Sequence, residues 1–526
     1  VREAALAVFG RGGASRALCE TRLDSPLSDG FELDAQPSEQ PANWILSRRV
    51  FLVALSIVYA IAFVSLWVQL DGLIGSSGIS PAEDYLSAVR EQAGPDAFWQ
   101  LPTLFWFSSS DAVLHAACAA GVVAAVLSMF GVAPVFQLAL MWLLYLSFVV
   151  VAEPFFSYQW DTLLLETGLV ACLCAPTRRA GLNQAPPRAG IWALRWLLFR
   201  LVFTSGVVKL ASGDPTWRNL TALEFHYWTQ PLPHAISYFA YQLPNAVQRL
   251  STLGALVVEC VAPLLIFVPG RPRTIAAGAI AALMIAIGLT GNYGFFNLST
   301  LALCVVLLDD SKLRRFLPLP PASPAPKVRR FARTAVCVLL ALHAGIGTIR
   351  MLDRIGLRLP WPGAVRTALA AVAPLRSANS YGLFAVMTTD RNEIEVEGSR
   401  DGENWSPYTF RWKPGPLDRA PGFAEPHMPR LDWQMWFAAL GDCRSNPWFV
   451  RFLERLLSGS RPVAGLLEHD PFEQEPPRYV RSTVYRYRFA PLGQAGLWWQ
   501  REPLGAYCPV LTLDSDRLRA VERAPQ

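Results

Sequence analysis

The chain of 526 residues is 52% hydrophobic and only 17% charged, with a mean hydropathy of +0.28. Soluble proteins carry about 25% charged residues, so composition argues against a wholly soluble chain and for a polytopic membrane protein with a soluble part. The net charge of +6 is too small to indicate a nucleic-acid partner, and none is expected.

Residues 1–47 are polar and carry Asp24, Asp29, Glu32 and Asp34 with Pro37 and Pro41, the composition of a disordered tail. A span needs about 20 apolar residues, and Val50 to Leu70 supplies them directly after Arg48 and Arg49. Further spans are expected at Ala112 to Phe130, Pro134 to Val151, Trp160 to Cys174, Ile191 to Leu210, Ala246 to Val268, Thr274 to Thr290, Phe295 to Leu308 and Thr334 to Ile349. That makes about nine, of which the fourth and eighth are short enough to be tilted or re-entrant. With alternating spans, Arg48–Arg49, Arg178–Arg179 with Arg188, Arg271 with Arg273, and the segment Lys312 to Arg333 fall on one side. Cytoplasmic loops collect Lys and Arg, so the N-terminus is expected in the cytoplasm and everything after about Met351 outside.

The membrane domain is expected over 48–351, with a linker over 352–374. Residues 375–526 read as a β-rich α+β domain: Glu393 to Glu397 and Trp405 to Trp412 alternate as strands, Trp448 to Ser458 is an amphipathic helix, and Tyr479 to Phe489 presents one face of a strand. Cys443 and Cys508 lie here and can form one disulfide, although sequence does not fix their separation. Six other cysteines, Cys118, Cys172, Cys174, Cys260, Cys304 and Cys337, sit in apolar stretches as small hydrophobes.

The most unusual stretch is Lys209 to Pro233, which follows a span directly. It crowds Asp214, Trp217, Arg218, Glu224, Phe225, His226, Tyr227 and Trp228 together. Irregular polar backbone beside a bilayer needs shelter from protein or water.

Charges inside spans are costly and mark candidate sites. Arg200 and Glu259 match in depth and are expected to pair, either as a structural tie between two helices or as part of a site. Lys209 matches Glu166 and Asp161 near the outer surface. It either snorkels to water or closes the floor of an outward cavity, where a desolvated lysine can act as a base. The histidines show no metal-ligand spacing, and no P-loop, Gly-x-Ser-x-Gly or dinucleotide fingerprint occurs. No metal and no cofactor are expected.

Several long strings resemble the family of lipase maturation factors. They are Tyr158-Gln-Trp-Asp161 with Leu164-Leu-Glu-Thr-Gly168, then Gly213-Asp-Pro-Thr-Trp217 with Phe225 to Pro233, then Gly291-Asn-Tyr-Gly-Phe-Phe-Asn297. Pro429 to Ala439, Asn446-Pro-Trp448, Pro476 to Arg481 and Tyr485-Arg-Tyr-Arg488 continue the resemblance to nearly the whole chain after about residue 45. The resemblance implies a protein of the endoplasmic reticulum membrane that assists secreted lipases. The Ala-, Arg- and Pro-rich composition and the Val1 start point to a bacterial relative, and so to a bacterial inner membrane.

Two functions follow. In the first, a membrane-anchored maturation factor without catalysis holds a secreted lipase or other hydrolase, in contact with membrane lipids, and Trp217, Arg218, His226, Tyr227, Trp433 and Trp436 either bind that client or structure the loop. The second rests on Ser205-Gly-Val-Val-Lys209-Leu, which is similar to the membrane region of vitamin K-dependent carboxylases. That similarity implies an enzyme with Lys209 as base, surrounded by Asp161, Glu166 and Asp214, acting on a lipophilic substrate.

Overall fold

The computed structural model describes residues 44–318, 330–494, 496–514 and 517–521. The polar tail up to residue 43 and the Pro-rich run from residue 319 lie outside them. Nine helices run back and forth: α1 (Ile45–Trp67), α2 (Asp111–Met129), α3 (Pro134–Val151), α4 (Gln159–Cys174), α5 (Arg188–Ala211), α6 (Asn245–Leu265), α7 (Arg271–Thr290), α8 (Phe296–Val305) and α9 (Arg330–Arg354). Seven are long and apolar enough to cross a membrane, and the exceptions are α4 and α8, with 16 and 10 residues. These are the two expected to be short. Both still connect the same two ends as their neighbours, because they lie within the bundle and need no lipid-facing wall of full thickness.

One end of the bundle is basic and is tied by two aspartates. Asp310 accepts hydrogen bonds from the backbone N–H groups of Ile45, Leu46 and Ser47 at 2.8, 3.0 and 3.2 Å. It thereby satisfies the otherwise unpaired start of α1 and sits at the positive pole of its dipole. Asp309 accepts from Trp44 Nε1 at 2.9 Å and lies 3.6 Å from Arg273. Arg195 donates to the Val306 carbonyl, and Arg48 to the carbonyls of Gly181 and Gln184. Helix contacts are close where a side chain is missing: a Cβ on Gly168 of α4 would lie 2.0 Å from the Tyr59 hydroxyl of α1.

The opposite end carries the C-terminal part. Its five strands are β1 (Arg391–Ser399), β2 (Ser406–Pro407), β3 (Tyr479–Phe489), β4 (Trp499–Asp514) and β5 (Arg517–Val521), all antiparallel in the order β2-β1-β3-β4-β5. Helices α10 (Gly363–Val372), α11 (Arg430–Ala438) and α12 (Pro447–Leu457) complete it. The exposed α10 occupies the stretch expected as a linker. The disulfide Cys443–Cys508 ties the segment before α12 to β4, with Cα atoms 5.4 Å apart.

β3 departs from expectation. Its buried residues are Val480 and Ser482 at one end and Tyr487 and Phe489 at the other. Even and odd positions face opposite sides of a strand, so the buried face changes along β3. The two ends have different covers: Val480 packs with the main core beside Phe449 and Phe452 of α12, whereas Tyr487 and Phe489 pack with Trp499, Trp228 and Tyr238. Register shifts against β4 at Val480–Thr483 and Val484–Tyr485 accompany the change.

Arg430 fastens this part to the helices. It donates to Asp161 of α4 at 2.8 and 3.1 Å and to the Phe155 carbonyl at 2.7 Å, and it lies over the Phe156 ring. Tyr145 of α3 donates to Asp161 at 2.5 Å, and Asp161 and Arg430 are both fully buried. Nearby, Ser65 of α1 and Gln69 just beyond its end bond the backbone of Met428 and Arg430. Removing one partner of a buried pair costs about 3–5 kcal/mol, because the other charge stays buried alone. Asp161→Asn and Arg430→Met should each lower the thermal unfolding temperature of the purified protein strongly, and Asp161→Leu/Arg430→Met should lower it less than either. Singles that melt like the parent protein would refute this role.

Candidate functional site

The Lys209–Pro233 segment roofs a cavity of about 250 Å³ bounded by α5, α6, α7 and α8. Lys209, in the last turn of α5, donates to both carboxylate oxygens of Glu259 on α6 at 2.7 Å, and both side chains are largely buried. Its Nζ lies 5.2 Å from the centre of the Trp217 ring, a cation–π distance. The two helices approach closely at Gly206, where a Cβ would meet the Glu259 Cβ at 2.9 Å.

The roof is held by side chains drawn from distant segments. Asp214 caps the short helix Pro215–Arg218, accepting from Thr216 N at 2.7 Å and Thr216 Oγ1 at 2.8 Å. Its other oxygen accepts from Met387 N at 2.6 Å, so it also pins the strap 376–387 that enters the C-terminal sheet. Trp217 Nε1 donates to the Phe384 carbonyl on that strap. Arg391, fully buried at the start of β1, donates to the carbonyls of Trp228, Gln230 and Pro231.

On the helix Ala222–Thr229, His226 Nε2 lies 2.9 Å from the Tyr293 hydroxyl, which donates to Gln230 Oε1 at 2.7 Å. Gln230 Nε2 donates to the carbonyls of Tyr227 and Thr290. Burial, with Lys209 nearby, pushes the His226 imidazole down to about 4, so it is neutral near pH 7. The rest of the lining is mainly apolar, including Leu201, Leu283, Ile287, Phe296 and Leu383.

Depth alone misjudged the charges of the bundle. Arg200 does not pair with Glu259. It pairs with Glu166 of α4, a carboxylate that also accepts from Tyr381 at 2.7 Å and from Asn379 N at 2.8 Å and lies 3.1 Å from His343. Arg200 and Lys209 are about 2.5 turns apart and so lie on opposite faces of α5; only Lys209 faces α6. For the same reason Glu166 and Asp161 do not surround Lys209. Glu166 belongs to Arg200 and Asp161 to Arg430. Asp214 is engaged as a cap and strap anchor.

Trp433 and Trp436 are not exposed surface aromatics. Trp433 packs among Tyr158, Trp160 and Tyr293 and donates to the Asn292 carbonyl, while Trp436 donates to the Thr229 carbonyl. They form the joint between α11 and the roof. Trp217 is buried in the roof, His226 and Tyr227 line the cavity, and Arg218 is exposed. Among the described residues no cluster of three or more His, Cys, Asp or Glu side chains could hold a metal. Sequence reading missed Arg430, Tyr293, Glu425 and the strap. A buried Asp161 calls for a cation, but nothing local says that it comes from position 430.

Glu425 stands behind the cavity wall, accepting from Tyr293 N at 2.6 Å and Asn297 Nδ2 at 3.3 Å. Burial pushes its carboxyl from the usual 4.5 up to about 7, against the opposing pull of these two hydrogen bonds. Between those values the folded chain retains a proton that the unfolded chain has released, so stability falls as pH rises through that window and levels off above it. Melting temperature followed from pH 4.5 to 8 should show this decline, and Glu425→Gln should flatten it; an unchanged slope in the variant would remove Glu425 as its source.

The sequence matches the lipase maturation factor transmembrane domain over residues 46–315 and the lipase maturation factor C-terminal domain over 377–509. It is 34% identical to lipase maturation factor 2 of Rattus norvegicus over 90% of this chain and 84% of that protein, and 34% identical to the Homo sapiens protein of that name over 91% and 84%. Lipase maturation factor 1 of Bos taurus is 32% identical over 93% of both chains. No solved structure matches. A multi-pass helical bundle with an antiparallel C-terminal sheet, matched along nearly its whole length at this identity, belongs to the lipase maturation factor family.

Proposed function

We propose that the chain is a membrane-embedded maturation factor that holds an incompletely folded, secreted lipase-type client on the side of the membrane carrying the C-terminal sheet. The basic end of the bundle faces the cytoplasm by the charge rule, so the sheet faces the lumen of the endoplasmic reticulum in a eukaryote or the periplasm in a bacterium. The names of the relatives support a lipase client.

The observation that carries the reading is the half of β4 that, among the described residues, no second strand covers. Residues Gln500 to Ala506 are exposed on both faces, and β5 pairs only with Val510 to Asp514. Among the described residues this half pairs with β3 alone. An unpaired strand edge is a template for an extended segment of another chain, with main-chain hydrogen bonds supplying affinity. A client that has not closed its own sheets offers such segments. Leu504, and Leu492 in the β3–β4 connection, are exposed beside that edge and suit apolar side chains of the client.

The arrangement gives no support to the catalytic reading. The acids expected around Lys209 are engaged elsewhere, and an ammonium bound by Glu259 has no lone pair with which to take a proton.

A photoreactive side chain placed at Gln500, Glu502 or Leu504 in the full chain should cross-link a secreted lipase in the producing cell. The same probe on the exposed face of α10 should not. Loss of the protein should lower secreted lipase activity severalfold. Unchanged activity, or no lipase adduct from any of the three positions, would overturn the reading.

A further inference from the structure

The strap that pins the roof starts far below it. Ser377 Oγ accepts from Trp142 Nε1 at 2.8 Å, and its carbonyl lies 3.1 Å from His343 Nε2. The Asn379 N–H donates to Glu166, and its carbonyl accepts from Arg200. These four partners belong to the interior of the bundle. Counted along the helices, Trp142, Glu166, Arg200 and His343 lie about 10–17 Å from the ends of α3, α4, α5 and α9 on the sheet side. At Gly382 the strap is back at that side. There its N–H donates to Gln159 Oε1 at the start of α4, and its carbonyl accepts from Arg354 at the end of α9 at 3.0 Å. Five residues of extended chain cover roughly 16 Å, so the climb from Ser377 to Gly382 matches the depth.

The chain must therefore descend between Arg354 and Ser377, and α10 is on the way down. It runs into a 3-10 turn, Ala373–Leu375, that ends two residues before Ser377. Neither piece buries a residue within the protein, and Arg366 is their sole charge. A ten-residue helix with no buried side chain is marginal in water. In hydrocarbon nothing else can hydrogen-bond the backbone, and the helix is required. Where it ends, the exposed carbonyls are met by protein: Ser377 Oγ donates to that of Leu375 at 2.8 Å, and Asn379 Nδ2 to that of Arg376 at 2.9 Å. Non-helical backbone is tolerated at membrane depth when protein shelters it in this way. Arg366 lies near the start of α10 and is exposed, so its long side chain reaches back to the headgroups.

We infer that residues 355–382 form a re-entrant loop, and that the exposed face of its descending limb, α10, is an interaction surface for acyl chains of the leaflet on the sheet side. Depth selects lipid over water, and α9, the span that leads into the loop, buries few of its own residues, so the two bare surfaces are continuous. The C-terminal part thereby holds a lipid anchor of its own, joined directly to the strap that fixes Asp214 and Trp217. This does not rest on the client reading, and its test involves no client.

The test uses the purified full chain in phosphatidylcholine nanodiscs. A nitroxide is attached through p-acetylphenylalanine, which spares the native cysteines, at Ala364, Ala368 or Ala371 of α10, or at Gln500 of β4. All four positions are exposed, so the label displaces no packing. Access of oxygen, which concentrates in hydrocarbon, is compared with access of a water-soluble nickel chelate. Oxygen should be favoured severalfold at Ala368 and Ala371, with the preference growing from Ala364 to Ala371, and the chelate should be favoured at Gln500. Chelate access at Ala371 equal to that at Gln500 would place α10 in water. Low access to both reagents, with dipolar coupling between labels, would place a second copy of the chain on it. Either result, or a preference that does not grow toward Ala371, would overturn the proposal.

Discussion

The arrangement depends on a buried ion pair between two parts of the chain that differ in every compositional respect. Asp161 sits at the start of α4, inside the helical bundle, where an uncompensated carboxylate is not tolerable. Its counter-charge, Arg430, arrives from the C-terminal part some 270 residues later in sequence. Tyr145 and the Phe155 carbonyl add further partners, and both side chains of the pair are buried from water. Neither part completes its polar network without the other: the helices supply the acid and the sheet-bearing part supplies the base. The C-terminal part is in this sense a component of the bundle's outer end, and it does not hang from a tether.

The same logic explains why the roof is rigid although it is irregular. Backbone carbonyls of Trp228, Gln230 and Pro231 would be stranded beside the bilayer, and one fully buried arginine from β1 serves all three. Asp214 similarly binds two segments, capping a short helix and holding the strap at Met387. The requirement that irregular backbone near a membrane be satisfied by protein is met by side chains that come from the far side of the sequence. Folding of the helices and attachment of the sheet are therefore linked.

The fold class was readable from composition and periodicity because lipid imposes a simple rule on length and apolarity. The charge rule sorted the loops, and even the two short helices announced themselves by length. What sequence could not resolve was how deep in the bundle a charge lies and which face of its helix it occupies. Glu259 meets α5 at Gly206 and Lys209, well along the helix from Arg200, and the half-turn separating Arg200 from Lys209 sends one toward α4 and the other toward α6. Trp433 and Trp436 misled for a related reason. An aromatic-rich string outside the membrane looks like contact surface, but here its faces were already taken by Tyr158, Trp160, Tyr293 and the roof. β4 went unread because half of it is exposed on both sides, and alternation carries information only where one face is buried.

These constraints also indicate where the molecule retains freedom. Asp161, Glu166, Asp214 and Asp310 each have both oxygens engaged by several donors, at least one of them from a distant segment, which is how a structural carboxylate is held. Glu259 differs. It receives one lysine from one neighbouring helix and otherwise faces a space lined by hydrocarbon. Of the acids just named Glu259 alone relies on a single partner, and the space beneath the roof is the part of the bundle that these side chains leave unfilled. Lys209 already balances Glu259, so that space needs no further charge.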